Sequence, residues 1–225
     1  MTTPASDPYD LGQLLERRIS AERFGRYRRA VPGGDSDAAA LYVWNAEVAS
    51  AFGLVIGQFE VILRNALNEQ MVARQVASGR PGEWYDDRVT LNDPHRHDDV
   101  AKARSQILNA GKTETPGLMV AELMFGFWRF LLGPRHQTTL WAQSLRHAFP
   151  YLSPQRRSDV YDPVQRLNKL RNRMAHHEPV YAEPLADDHD QLLTVAGYID
   201  PEAEAWLRDL SRVPALLDTR PALLP

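Results

Sequence analysis

Ten consecutive residues, Leu170-Arg171-Asn172-Arg173-Met174-Ala175-His176-His177-Glu178-Pro179, carry two arginines, an amide, two histidines and a carboxylate. A histidine with a pKa near neutrality can take a proton from a hydroxyl. An arginine can stabilise charge building on phosphate oxygens. Together these groups suit cleavage of an RNA phosphodiester by its own 2′-hydroxyl, which needs no metal. The other reading of the stretch is a charged helix end, since cations suit the C-terminal end of a helix dipole.

Spacing constrains how these side chains can cooperate. Upstream, Val164, Leu167 and Leu170 recur every three residues, the mark of a buried helical stripe. Pro179 is expected to stop or turn that helix. Asn172 and His176 are four apart, which predicts a hydrogen bond that fixes the imidazole tautomer. Arg171 and His176 are five apart, roughly 140° around an ideal helix. Arg171 must then reach the histidine from the side, or serve a site shared with another subunit. His176, His177 and Glu178 are also metal-ligand types. Adjacent histidines project roughly 100° apart, however, which makes joint ligation awkward.

The elements that would position this stretch are all helical. Leu11, Leu14, Leu15, Ile19 and Phe24 predict a helix over about 10–29. Its arginines (Arg17, Arg18, Arg23, Arg26, Arg28, Arg29) read first as a solvated face, with a phosphate-facing patch as the alternative. Pro32-Gly33-Gly34 ends that arm. Asp35, Ser36 and Asp37 are N-cap candidates for the next helix. Apolar positions from Leu41 to Met71 keep helical spacing without a proline. An unbroken helix of that length would be unusual, so a break near Gly53 or Gly57 is expected. Glu60 and Arg64 are four apart and can meet on one face. Spacing favours a surface pair, and a second polar layer behind residue 171 is the alternative.

Further helices are expected over about 94–110, 118–132 and 136–148, then from Ser153-Pro154. Asp162-Pro163 either kinks that last helix or begins a fresh one. Others should start at Asp187-Asp188-His189-Asp190 and at Asp200-Pro201. His95 and His97 are metal-binding types, but they are two apart and point to different faces, so no metal site is expected there. No period-two run of useful length occurs. The chain reads as all-α, with an arm over 1–35, one helical domain over 36–218 and a short loose tail over 219–225.

Bulk properties limit the partners. The net charge of −3 excludes a global polycation, so nucleic-acid contact must come from local clustering. The absence of cysteine excludes disulfides and thiolate chemistry. Met1 to Asp10 lacks a signal pattern, and no stretch reads as apolar enough to span a bilayer. A cytoplasmic protein with no membrane partner and no cofactor is expected.

Arg171 to His176, with the polar Asn172 directly after the arginine, resembles the R-x4-6-H motif of HEPN domains. The whole string from Leu170 to Pro179 looks like the signature of the Abi-like (abortive-infection) branch. Leu41-Tyr-Val-Trp-Asn45, Glu60-Val-Ile-Leu-Arg-Asn65 and Phe125-Gly-Phe-Trp128 agree in content and order, as do Leu140-Trp141 and Phe149-Pro150. The resemblance covers roughly residues 38 to 218. It implies a HEPN-like helical bundle with additional helices. It also implies a metal-independent endoribonuclease of phage-defence or toxin–antitoxin type, working as a homodimer or higher homo-oligomer with two motif copies lining one cleft. An antitoxin or inhibitor partner would accompany that role, and a non-catalytic module that binds RNA or a nucleotide is the alternative. By resemblance Arg171 and His176 are catalytic and Asn172 supports them. His177 shares or replaces His176. Glu60, Arg64, Asn65 and Arg173 contact substrate. In one HEPN toxin group a tyrosine two residues after the histidine is modified by the antitoxin. Here that position is Glu178, and the next tyrosine is Tyr181.

Overall fold

A computed structural model describes residues 9–224. Residues 1–8, where no signal pattern was read, and Pro225 of the tail lie outside the described range. The fold is all-α, with no strand among the described residues. Its axis is a 45-residue helix, Gly34–Ser78. Two arm helices, Leu11–Ile19 (α1) and Ala21–Arg28 (α2), pack against that axis, which is α3. Pro94–Asn109 (α4), Pro116–Glu122 (α5) and Phe125–Leu131 (α6) come next. Ser158–Ala175 (α7), Leu185–Ile199 (α8), Pro201–Leu210 (α9) and Val213–Leu217 (α10) complete the chain.

The expected break in α3 is absent. Gly53 and Gly57 have open space where a side chain would stand, so no neighbour forces a bend at either. Each glycine costs about 1 kcal/mol of helix propensity. Phe52, Val55, Ile56 and Phe59 around them are fully buried, and each such side chain contributes roughly 2 kcal/mol. Packing therefore outweighs propensity. The N-cap is Gly33, not one of the aspartates; Asp35 and Asp37 sit in the first turn. By length and composition α3 is also apolar enough to cross a membrane, which corrects the sequence expectation. In this fold α1, α2, α7, α8 and α10 pack along it.

Elsewhere single predicted helices divide. The arm breaks at Ser20, whose φ of 82° is uncommon for a non-glycine residue and whose side chain caps α2 by accepting from Arg23 N–H. The arm still shares the core, because Leu15, Phe24 and Tyr27 are buried in the same cluster as α3. The segment expected as 118–132 breaks at Leu123-Met124, whose backbone is extended. Trp128 Nε1 donates to the Leu123 carbonyl at 3.0 Å and holds that corner. Residues 134–148 form short tight and wide turns, not an α-helix. Their buried residues, from His136 to Ala148, would spread over roughly 180° of an ideal helix, too wide for one packed stripe.

The helix that carries the candidate residues starts at Ser158, downstream of the expected Ser153-Pro154 start. Pro163 lies inside it, within the second turn, and begins no fresh helix. Val160, Val164, Leu167 and Leu170 fix one face of α7 in the core. In the tail, Leu224 N–H donates to the Ala30 carbonyl at 2.8 Å.

Candidate functional site

The chain leaves α7 four residues before Pro179. Ala175 is the last helical residue and His176 the C-cap. His177 takes a left-handed φ of 54° and its N–H donates to Met174 O at 2.9 Å, while Glu178 N–H donates to Arg173 O at 2.8 Å. These two bonds close a helix C-terminus through a left-handed residue, a place glycine usually fills. A histidine held there exposes its ring beside that of His176, and both are solvent-exposed. Beyond the turn, Val180 is buried, and its N–H is satisfied by Asn45 Oδ1 of α3 at 2.7 Å.

Arg171 and Asn172 face away from this turn. They line a groove of about 190 Å³ between α4, the α5–α6 corner and α7, with Arg96, Lys102, Met124 and Asn168. Asn168, Arg171 and Asn172 follow the i, i+3, i+4 rule and so share one face. Arg96 pairs with Asp99 at 2.7 Å and lies 4.5 Å above the Phe130 ring. Glu60 is half-buried near Arg171. Burial raises its pKa, opposed by the charges of Arg171 and Arg64 and by a hydrogen bond from Phe125 N–H. Glu60 and Arg64 make no ion pair with each other among the described residues. Arg64 instead donates to the Ala121 carbonyl at 3.3 Å, and Asn65 is exposed.

The histidine side of the turn opens on a different groove. His176, His177 and Glu178 line about 290 Å³ together with Glu22, Arg23 and Arg26 of the arm. The Arg23 guanidinium donates to the His177 carbonyl and ties the arm to the turn. The hydrogen bond between Asn172 and His176 is a backbone one, His176 N–H to Asn172 O at 3.0 Å, so it does not fix the imidazole tautomer. Arg173 is occupied by structural contacts: Glu183 at 2.6 Å, the Pro179 carbonyl at 2.8 Å and Glu178 at 3.5 Å. One chain thus brings Arg171, Asn172, Glu60 and Arg64 to one side of α7, and His176 and His177 to another.

Comparisons with protein-family models, with curated proteins and with solved structures found no match.

Several site neighbours escaped the sequence reading. Asn168 had a legible signal, its spacing to Arg171 and Asn172. Arg96 and Lys102 had none, because which helices border α7 is a tertiary fact; Arg23 and Arg26 were legible as a possible phosphate-facing patch but not as neighbours of the histidines. Two polar groups at the start of α8 are buried as well. Asp188 pairs with Arg166 at 2.7 Å, and His189 Nε2 lies 2.7 Å from Ser211 Oγ. Among the described residues no group of three or more His, Cys, Asp or Glu is placed to hold a metal ion.

Proposed function

We propose that this chain is a metal-independent endoribonuclease of HEPN type, of the kind that acts in phage defence or as a toxin, with a site completed by a second copy of the chain. The observation that carries the reading is convergence on the end of α7 of stretches far apart in sequence. Asn45 of α3 holds the turn after the motif. Glu60 and Arg64 lie close enough to Arg171 for the carboxylate to feel both charges. Phe125 N–H lies near enough to Glu60 to favour its charged form, and Gly126 and Phe127 line the Arg171 groove.

In the proposed reaction His176 removes the 2′-hydroxyl proton, and the 2′-oxygen attacks phosphorus. Arg171 stabilises the charge that builds on the non-bridging oxygens. The bond from phosphorus to the 5′-oxygen breaks, and the proton passes from the imidazolium to that oxygen. The products are a 2′,3′-cyclic phosphate and a 5′-hydroxyl. Because Arg171 and His176 open on separate grooves within one chain, the Arg171 groove of one copy meets the His176 groove of another.

Purified protein is expected to cut single-stranded RNA in excess EDTA and leave 2′,3′-cyclic ends. His176→Ala should slow cutting by about 10²- to 10⁴-fold, the usual contribution of a general base. Unchanged cutting by both Arg171→Ala and His176→Ala would remove the site from these residues. A second reading, an RNA-binding module without cleavage, is favoured by the same separation of Arg171 from His176. It predicts RNA binding and no product at any enzyme concentration.

A further inference from the structure

The arm ends in two grooves that run into one another. The His176 groove already contains Arg23 and Arg26. The next one, of about 360 Å³, is lined by Arg26, Arg29, Arg173, Pro179 and Tyr181. Arg26 and Pro179 belong to both, so the cations form a continuous line from the arm to the histidines.

Helix α2 and its C-cap sort their arginines into two kinds. Arg28 is held between Glu16 at 2.9 Å and Asp35 at 2.6 Å. Arg26 and Arg29 pair with no carboxylate among the described residues, and Arg29 is exposed. The carboxylates that face the grooves are Glu22 and Glu178. Glu178 lies 3.5 Å from Arg173, whose charge is shared with Glu183. A guanidinium without a protein partner keeps its donor fork free for an anion, and phosphate matches that fork in two places at once. Tyr181 adds an aromatic wall beside these cations. Its ring packs on Tyr27 at 5.4 Å, and its hydroxyl donates to the Arg26 carbonyl, so it is held in place. Cations along a groove with a fixed aromatic beside them are the groups that single-stranded nucleic acid uses.

We propose that Arg26 and Arg29 bind successive backbone phosphates of single-stranded RNA and lead the strand along the arm to His176. The inference rests on the reading that the chain acts on RNA. It goes beyond that reading by assigning the substrate path to the arm, outside the region that carries the motif resemblance. Arg23 forms the end of the path, pinned by its bond to the His177 carbonyl.

The test uses the His176→Ala protein, so that RNA stays intact. Affinity for a fluorescein-labelled oligouridylate is measured by anisotropy over a range of salt. Loss of two phosphate contacts in Arg26→Gln/Arg29→Gln should lower the slope of log K against log salt by about 1.4. Affinity near 0.1 M salt should fall at least about tenfold. Arg26→Lys/Arg29→Lys keeps the charges and should restore most of the slope, which a purely structural role would not require. Arg88→Gln removes one charge outside both grooves and should leave the slope unchanged. An unaltered slope in the double glutamine protein, with RNA still bound or still cut by the parent, overturns the arm path alone. Binding of an acidic peptide at these arginines in place of RNA also overturns it. Absence of RNA binding by the His176→Ala protein, with no cutting by the parent, removes both this inference and the reading beneath it.

Discussion

The two grooves at the end of α7 differ in how they are built. The Arg171 groove is walled by α4, the α5–α6 corner and α7. Arg96 is held by Asp99 and by the Phe130 ring, and Glu60 is half-buried near Arg171. The His176 groove is an open surface whose wall is the arm, and its imidazoles are exposed. In the proposed reaction charge stabilisation falls to the half-buried Arg171 of the first groove. An exposed imidazole, able to meet a substrate hydroxyl and to exchange its proton, is what general-base chemistry needs. In the proposed reaction each groove would supply one half of the chemistry, with the body of α7 between them.

If the walled groove depends on its packing, acid should damage it first. His136 is 4% exposed, packs edge-on against Phe130 at 5.0 Å and leaves Nε2 without a partner. Burial, helped by Arg135 and opposed by Asp93, pushes its pKa down to about 4. The unfolded chain takes up a proton near pH 6.5, which the folded chain refuses until about pH 4. The associated stability is therefore complete above pH 6.5 and lost as pH falls towards 4, on the order of 3 kcal/mol at about 1.4 kcal/mol per pKa unit. Urea midpoints measured against pH should show that loss, and His136→Phe should flatten it. A variant with the same acid slope as the parent would show that another group governs it.

The open groove should depend on a single buried hydrogen bond. Asn45→Ala leaves the buried Val180 N–H without a partner, a loss of about 2 kcal/mol. Thermal unfolding measures that loss. The two sides should respond unequally: hydrogen exchange should rise at residues 176–181 and stay unchanged over α4 and α6. Equal increases on both sides would mean that the grooves are not independent.

The sequence made the helical class and the buried face of α7 legible, because stripes such as Val164, Leu167 and Leu170 record burial directly. It misplaced the breaks. Gly53 and Gly57 look like weak points, yet they lie among apolar residues whose packing outweighs propensity. Ser20 and Leu123 look ordinary, yet hydrogen bonds fix corners there. The turn at His177 was hidden because glycine usually marks such a position. Of the candidate site, helical angles alone indicated that Arg171 and His176 would not share a face. Spacing favoured a surface pair for Glu60 and Arg64, but their interaction is with Arg171, the α5 carbonyl and the α6 backbone. No local pattern carries that information, since it depends on which helix end meets which groove.

The central claim is that Arg171 of one copy works with His176 of another. Mixing inactive Arg171→Ala and His176→Ala proteins, with subunit exchange, tests it directly. Random pairing places both defects in one site of a mixed dimer and leaves the other site intact. Cleavage should then recover to about a quarter of the parent rate, as two-fold symmetry requires. A mixture as inactive as its components would contradict a shared site.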